Sequence, residues 1–161
     1  MIYNETIGLN LYGIEVEQIK TVCLGNAMEL RTVQFGKINY IEQDTITFKS
    51  GIFGFEHLQE YLILDDAETQ PFRWLQSTKE SEVCFPLLDP FLFIADYKEK
   101  LPKHLQNETE TKSILVITTL KNKDGRMTIN LKGPILLDDK EKIGEQVILN
   151  SDDISTSHIL N

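Results

Sequence analysis

Hydrophobic and polar positions alternate in short stretches along most of this chain and seldom sustain a helical period. A two-residue period sends successive side chains to opposite faces of a strand. Leu30–Phe35 and Lys37–Ile41 read as two strands joined by a tight hairpin at Gly36. Thr45–Phe48 follows, then the glycine-punctuated run from Ser50 to Glu56, and then Tyr61–Leu64, Arg73–Ser77 and Val83–Leu88. Ser113–Leu120 carries the strongest strand signal. Asn122-Lys123-Asp124-Gly125 reads as a hairpin turn into Met127–Leu131, because Asp-Gly easily adopts the positive φ of a primed turn. Ile135–Leu137 and Gln146–Asn150 are the last strands.

Helical patterns are few. Glu56–Glu60 fits one turn, and Lys98–Gln106 fits two, interrupted at Pro102, which suits a first helical turn but not an interior. About ten short strands without long crossover helices argue against a parallel α/β sheet. The expected fold class is therefore all-β: a small antiparallel, barrel-like single domain, β-rich with one or two short helices. Met28-Glu29-Leu30 reads like a protein start, so residues 1–27 are expected to be an upstream extension and 28–161 the folded domain.

Two segments stand out from the alternation. In Pro71–Ser77 it places Phe72, Trp74 and Gln76 on one face and Arg73, Leu75 and Ser77 on the other; Trp74 reads as core. Asp89–Tyr97 has apolar residues at nearly every position. Read as a strand, it puts Phe91 and Phe93 on one face and Leu92 and Ile94 on the other, with Asp89 and Asp96 bracketing the run. Either this strand is central and covered on both sides, or one face is an exposed apolar patch of the kind that marks partner binding.

Charge sharpens the picture. The chain holds 16 Lys and Arg against 25 Asp and Glu, a formal net charge of −9. Phosphate backbones and anionic lipid surfaces demand the opposite sign, so direct nucleic-acid binding and membrane docking are disfavoured and a basic protein partner is favoured. The apolar runs are too short for a bilayer span. Cys23 and Cys84 belong to no CxxC pair; counting leaves one disulfide open, but the usage fits a reducing cytoplasm. No basic and then apolar leader is evident in the first residues, so a cytoplasmic location is expected.

Candidate chemistry is sparse. His57, His104 and His158 lack ligand spacing, so no metal is expected, and no glycine pattern asks for a phosphate cofactor. Ser77, His57 and Asp89 can be imagined as a triad, but any chain of this length offers such a trio. Asp65-Asp66, Asp138-Asp139 and Asp152-Asp153 read as solvated loop charge. The alternative to a protein-binding module is a small ligand-binding or hydrolytic barrel using Trp74, Gln76 and His57 in an aromatic-lined interior.

Several of these segments, in order, resemble the flagellar assembly factor W (FliW) family. They are Phe35-Gly36-Lys37; Phe48 with Gly51, Gly54, Phe55 and Glu56; Pro71-Phe72 with Trp74–Ser77; Asp89–Phe93 with Asp96-Tyr97; Thr128–Leu131 with Pro134-Ile135; and Gly144 with Gln146–Leu149. The chain departs from the family's pattern at Asp138 or Asp139, where an Asn is usual, and at Ile154–Leu160, where Tyr, Arg and Pro are replaced. The resemblance implies a β-rich, barrel-like protein without catalysis or cofactors. It implies two partners that exclude each other: a CsrA-type RNA-binding translational regulator, whose repression of flagellin synthesis is relieved, and flagellin, bound in a chaperone-like way. A third reading keeps the chaperone role but with another secreted subunit. Contacts are expected from Asp89, Phe91, Phe93, Asp96 and Tyr97, and from the strand around Asn130, with acidic side chains on the rim.

Overall fold

The computed structural model describes residues 27–121 and 124–160. An N-terminal hairpin pairs β1 (Met28–Thr32) with β2 (Gly36–Tyr40). The hairpin reverses through Val33-Gln34-Phe35, and Gly36, at φ +66°, is the first residue of the return strand rather than the centre of the turn. The segments β3 (Ile46–Phe48), β4 (Glu60–Asp65), β5 (Arg73–Ser77), β6 (Cys84–Leu88) and β7 (Ser113–Thr119) then form an antiparallel meander. Next come β8 (Thr128–Ile129), β9 (Ile135–Asp138), β10 (Ile143–Gln146) and β11 (His158–Ile159).

Closure comes from two pairings far apart in the chain. The start of β7 pairs with β9, and β10 lies between β9 and β3, parallel to β3. Seven strands, in the order β3-β4-β5-β6-β7-β9-β10, thus form a closed barrel. The fold is the barrel-like all-β domain expected, with one parallel pair inside an otherwise antiparallel ring. The parallel pair sets Gly144 opposite Phe48, and the Phe48 ring fills the space where a side chain at 144 would begin: a Cβ there would lie 2.2 Å from Cζ.

Alternation divides the core in two. Ile46, Phe48, Leu75, Leu87, Ile135 and Leu137 point into the barrel with Tyr61, and fill it. On the outer wall, Leu88, Ile114, Val116 and Leu136 pack with α1 (Tyr97–Lys100) and α2 (Lys103–Glu108). The two helices break at Leu101-Pro102, as the proline requires, and Leu101 and Leu105 anchor them. Tyr97 is fully buried, and its hydroxyl donates to the Leu131 carbonyl at 2.7 Å. Tyr97→Phe should lose about 1.5 kcal/mol in urea unfolding, because it strands a buried acceptor without opening a cavity.

Three expectations are corrected. Glu56–Glu60 forms no helical turn; Gly54 at φ +83° and a bond from the Phe55 N–H to the Ile52 carbonyl make it the end of a tight loop. The last long strand is Ile143–Gln146, earlier than Gln146–Asn150, although the Val147 and Leu149 N–H groups still bond the Pro134 and Lys132 carbonyls. Asp89–Tyr97 is not a strand. The Asp89 carboxylate accepts the Phe91 N–H at 2.9 Å, and Pro90 occupies the first position of a 3-10 turn, Pro90–Leu92. An acidic cap followed by proline starts helical turns, and here it outweighs the apolar alternation. The expected extension at residues 1–27 falls almost wholly outside the described residues.

Candidate protein-binding surface

The turn after β6 delivers apolar side chains to the surface. Leu92 is 65% exposed and Phe93 45%. Phe93 borders a shallow groove of about 310 Å³, completed by Pro71, Phe72, Leu88, Met127 and Leu160. Every lining side chain is apolar, and they come from segments widely separated in the chain. Phe72 enters from the loop before β5 and lies against Trp74, with ring centroids 6.2 Å apart. Met127 and Leu160 meet because the Leu160 N–H bonds the Met127 carbonyl at 3.1 Å beside the β8–β11 pairing.

The expected contact residues separate. Phe93 lines the groove. Phe91 is half-buried and packs on Tyr97, with centroids 5.9 Å apart. Asp89 caps its turn. Asp96 is exposed and paired with Lys100 at 2.9 Å, and that hydrogen bond holds its carboxyl below the usual range. Tyr97 is core, so the expectation of a surface tyrosine is corrected. Asn130 belongs elsewhere: its side chain accepts the Lys132 N–H at 3.1 Å and crowds Gly133 together with the amide of Gln146. Pro71, Phe72, Leu88, Met127 and Leu160 were not singled out as contacts. Only their convergence makes them a surface, and no local pattern reports convergence.

A second apolar feature caps one end of the barrel. Ile52 is buried, Phe55 stacks edge-on against Phe85, and Phe53 between them is 78% exposed. The turn is pinned through its backbone. Gln146 accepts the Phe53 N–H at 2.8 Å and donates to the Gly133 carbonyl at 3.2 Å, while Glu56 accepts the Gly54 N–H at 2.9 Å.

The residues of the hydrolytic alternative do not converge. Trp74 is buried under Phe35 and donates its indole N–H to Thr69. The Gln76 amide nitrogen donates to the carbonyls of the loop it closes, among them Ser77 and Val83. His57 is exposed beside Glu80, and the Ser77 hydroxyl accepts the Lys79 and Glu80 N–H groups. Among the described residues, no three His, Cys, Asp or Glu side chains group as a metal site, and no helix is long and apolar enough to cross a membrane.

Comparison with known proteins gives this architecture its place. Residues 29–160 match the family described as FliW protein. The chain belongs to the FliW family. A flagellar assembly factor FliW of Caldanaerobacter subterraneus subsp. tengcongensis is 39% identical over 137 residues, 81% of this chain and 91% of the relative. The FliW of Thermotoga maritima is 37% identical over 134 residues, 80% of this chain and 90% of the relative. A crystal structure of the flagellar assembly factor FliW superposes with a TM-score of 0.71 at 28% identity, covering 83% of this chain and 97% of that one. The expected family resemblance is therefore correct, and the FliW barrel is the frame on which the groove is built.

Backbone N–H groups lower two carboxyls of this FliW-family chain and so contribute to its pH dependence. The Gly54 N–H holds the Glu56 carboxyl below its ordinary value, and the Glu141 and Lys140 N–H groups do the same for Asp138. A carboxyl lowered on folding stabilises the native state above its unfolded value, and the effect is lost as pH falls through the folded value. The urea midpoint should stay level from neutral pH to about 5 and decline below about 4. Both groups face water, so the decline is shallow. Glu56→Gln should flatten part of it.

Proposed function

We propose that this chain is a cytoplasmic, non-catalytic regulator that works by binding other proteins. It takes up a CsrA-type RNA-binding translational regulator and so relieves repression of flagellin synthesis. It also binds flagellin as a chaperone-like partner, and the two partners exclude each other. The observation that carries this reading is membership of a family whose relatives are named flagellar assembly factors, on a barrel that presents an exposed apolar groove. A net charge of −9 supports a basic partner, whose approach it accelerates. The hydrolytic barrel is the weaker reading, because Trp74 and Gln76 are buried while His57 is exposed beside Glu80, and the barrel is filled by its own side chains.

Calorimetry against the CsrA-type protein of the same organism, at low and high salt, tests the proposal. Heat of binding at a concentration on the order of 10 µM, weakening with salt, is expected, and added flagellin should abolish it. No heat would reject the regulator role. Affinity independent of salt would reject the charge argument alone.

A further inference from the structure

The groove ends at β11, an edge strand among the described residues. Barrel closure pairs both sides of the seven barrel strands, but among the described residues β11 has a neighbour, β8, on one side only. Register decides what its outer side offers. Leu160 donates to Met127 and Asn130 donates to Ile117, so residue pairs 160/127 and 130/117 are hydrogen-bonded. In an antiparallel ladder hydrogen-bonded pairs alternate with non-bonded ones. Thr128 therefore directs its N–H and C=O to β7, and the facing Ile159 directs its own away from β8. Among the described residues, none bonds the Ile159 N–H or carbonyl. Leu160 and Met127, paired across the same ladder, share one face and line the groove.

We propose that the β11 edge and the groove together receive an extended segment of a partner protein, added as one more strand beside Ile159. Its alternate apolar side chains lie against Leu160, Met127 and Phe93. Strand addition of this kind draws affinity from main-chain bonds and selectivity from pockets for every second side chain. The net charge of −9 over the whole chain favours a segment flanked by Lys or Arg as the occupant and works against pairing with a second copy of this chain. The inference rests on the protein-binding reading above and names where and in what conformation a partner is held.

The probe is a set of dodecapeptides tiling the CsrA-type regulator and the flagellin, titrated against the full chain by fluorescence anisotropy. At least one peptide with alternating apolar residues and basic flanks should bind. N-methylation of alternate backbone nitrogens should weaken it about tenfold. Ile159→Pro removes an N–H that no described residue accepts. It should weaken binding about tenfold while leaving the thermal midpoint in place. Phe93→Ser, at an exposed side chain, should weaken binding from the groove side and stands in if the proline variant fails to fold.

Failure of every peptide to bind overturns the proposal, as does binding that tolerates both N-methylation and Ile159→Pro. A dimer dissolved by Ile159→Pro would assign the edge to a second copy and overturn it too. Calorimetry with the full-length partners keeps the readings apart. Heat that is unchanged in Ile159→Pro and Phe93→Ser sinks the strand-addition site and leaves the regulator role standing, whereas no heat with wild-type chain sinks the role itself.

Discussion

Phe48→Ala should lower the free energy of unfolding by about 3–5 kcal/mol, the range for deleting a buried aromatic ring. Phe48 is fully buried. Its ring stands edge-on to Tyr61, with centroids 5.3 Å apart and planes at 74°, and covers the backbone at Gly144. The neighbours that would have to move into the void are strands of a closed ring, each held on both sides, so collapse is limited. A domain of this size holds roughly 5–15 kcal/mol in all, and the variant would sit near the limit of folding. Urea denaturation followed by the single tryptophan, Trp74, measures the loss. A loss under about 1 kcal/mol would show that the barrel closes without this ring.

Gly144→Ala should cost about 3 kcal/mol by the opposite mechanism, overpacking. The new methyl would meet three ring atoms of Phe48 at 2.2–2.7 Å, and the ring, enclosed by the barrel, has nowhere to swing. Since β10 and β3 form one of the two pairings that close the barrel, the strain falls on a closing seam. Phe48→Leu in the same chain gives the methyl room. The double variant should therefore be more stable than the sum of the two single losses, a coupling that residues in contact show and distant ones do not. Additive losses would mean that 48 and 144 do not share the seam.

Much of the barrel was legible because alternation is a local property. Arg73–Ser77 keeps its expected limits, and Ser113–Leu120 loses only its last residue. Trp74 is core, as its place in the alternation implied. Asp89–Tyr97 misled because its run of apolar side chains satisfies a strand template, while the cap formed by Asp89 and Pro90 carried the correct signal in two residues. Tyr97 offered no local sign that its hydroxyl would find the Leu131 carbonyl, a partner supplied by a turn well downstream. Phe93 was anticipated as a contact, but the groove it borders was not. Five other side chains reach that groove from segments whose paths depend on the closed barrel.

Residue order alone determined the all-β class, the broken pair of short helices around Pro102, the acidic charge and the family. Each of these is read within a few residues or summed over the chain. Tertiary structure alone decided that β10 runs parallel to β3, that Tyr97 is inside while Phe93 is outside, and that the backbone of Ile159 points away from β8. Those outcomes depend on which distant segments become neighbours. A pattern with a period of two says which face of a strand is apolar, but it does not say what will cover that face.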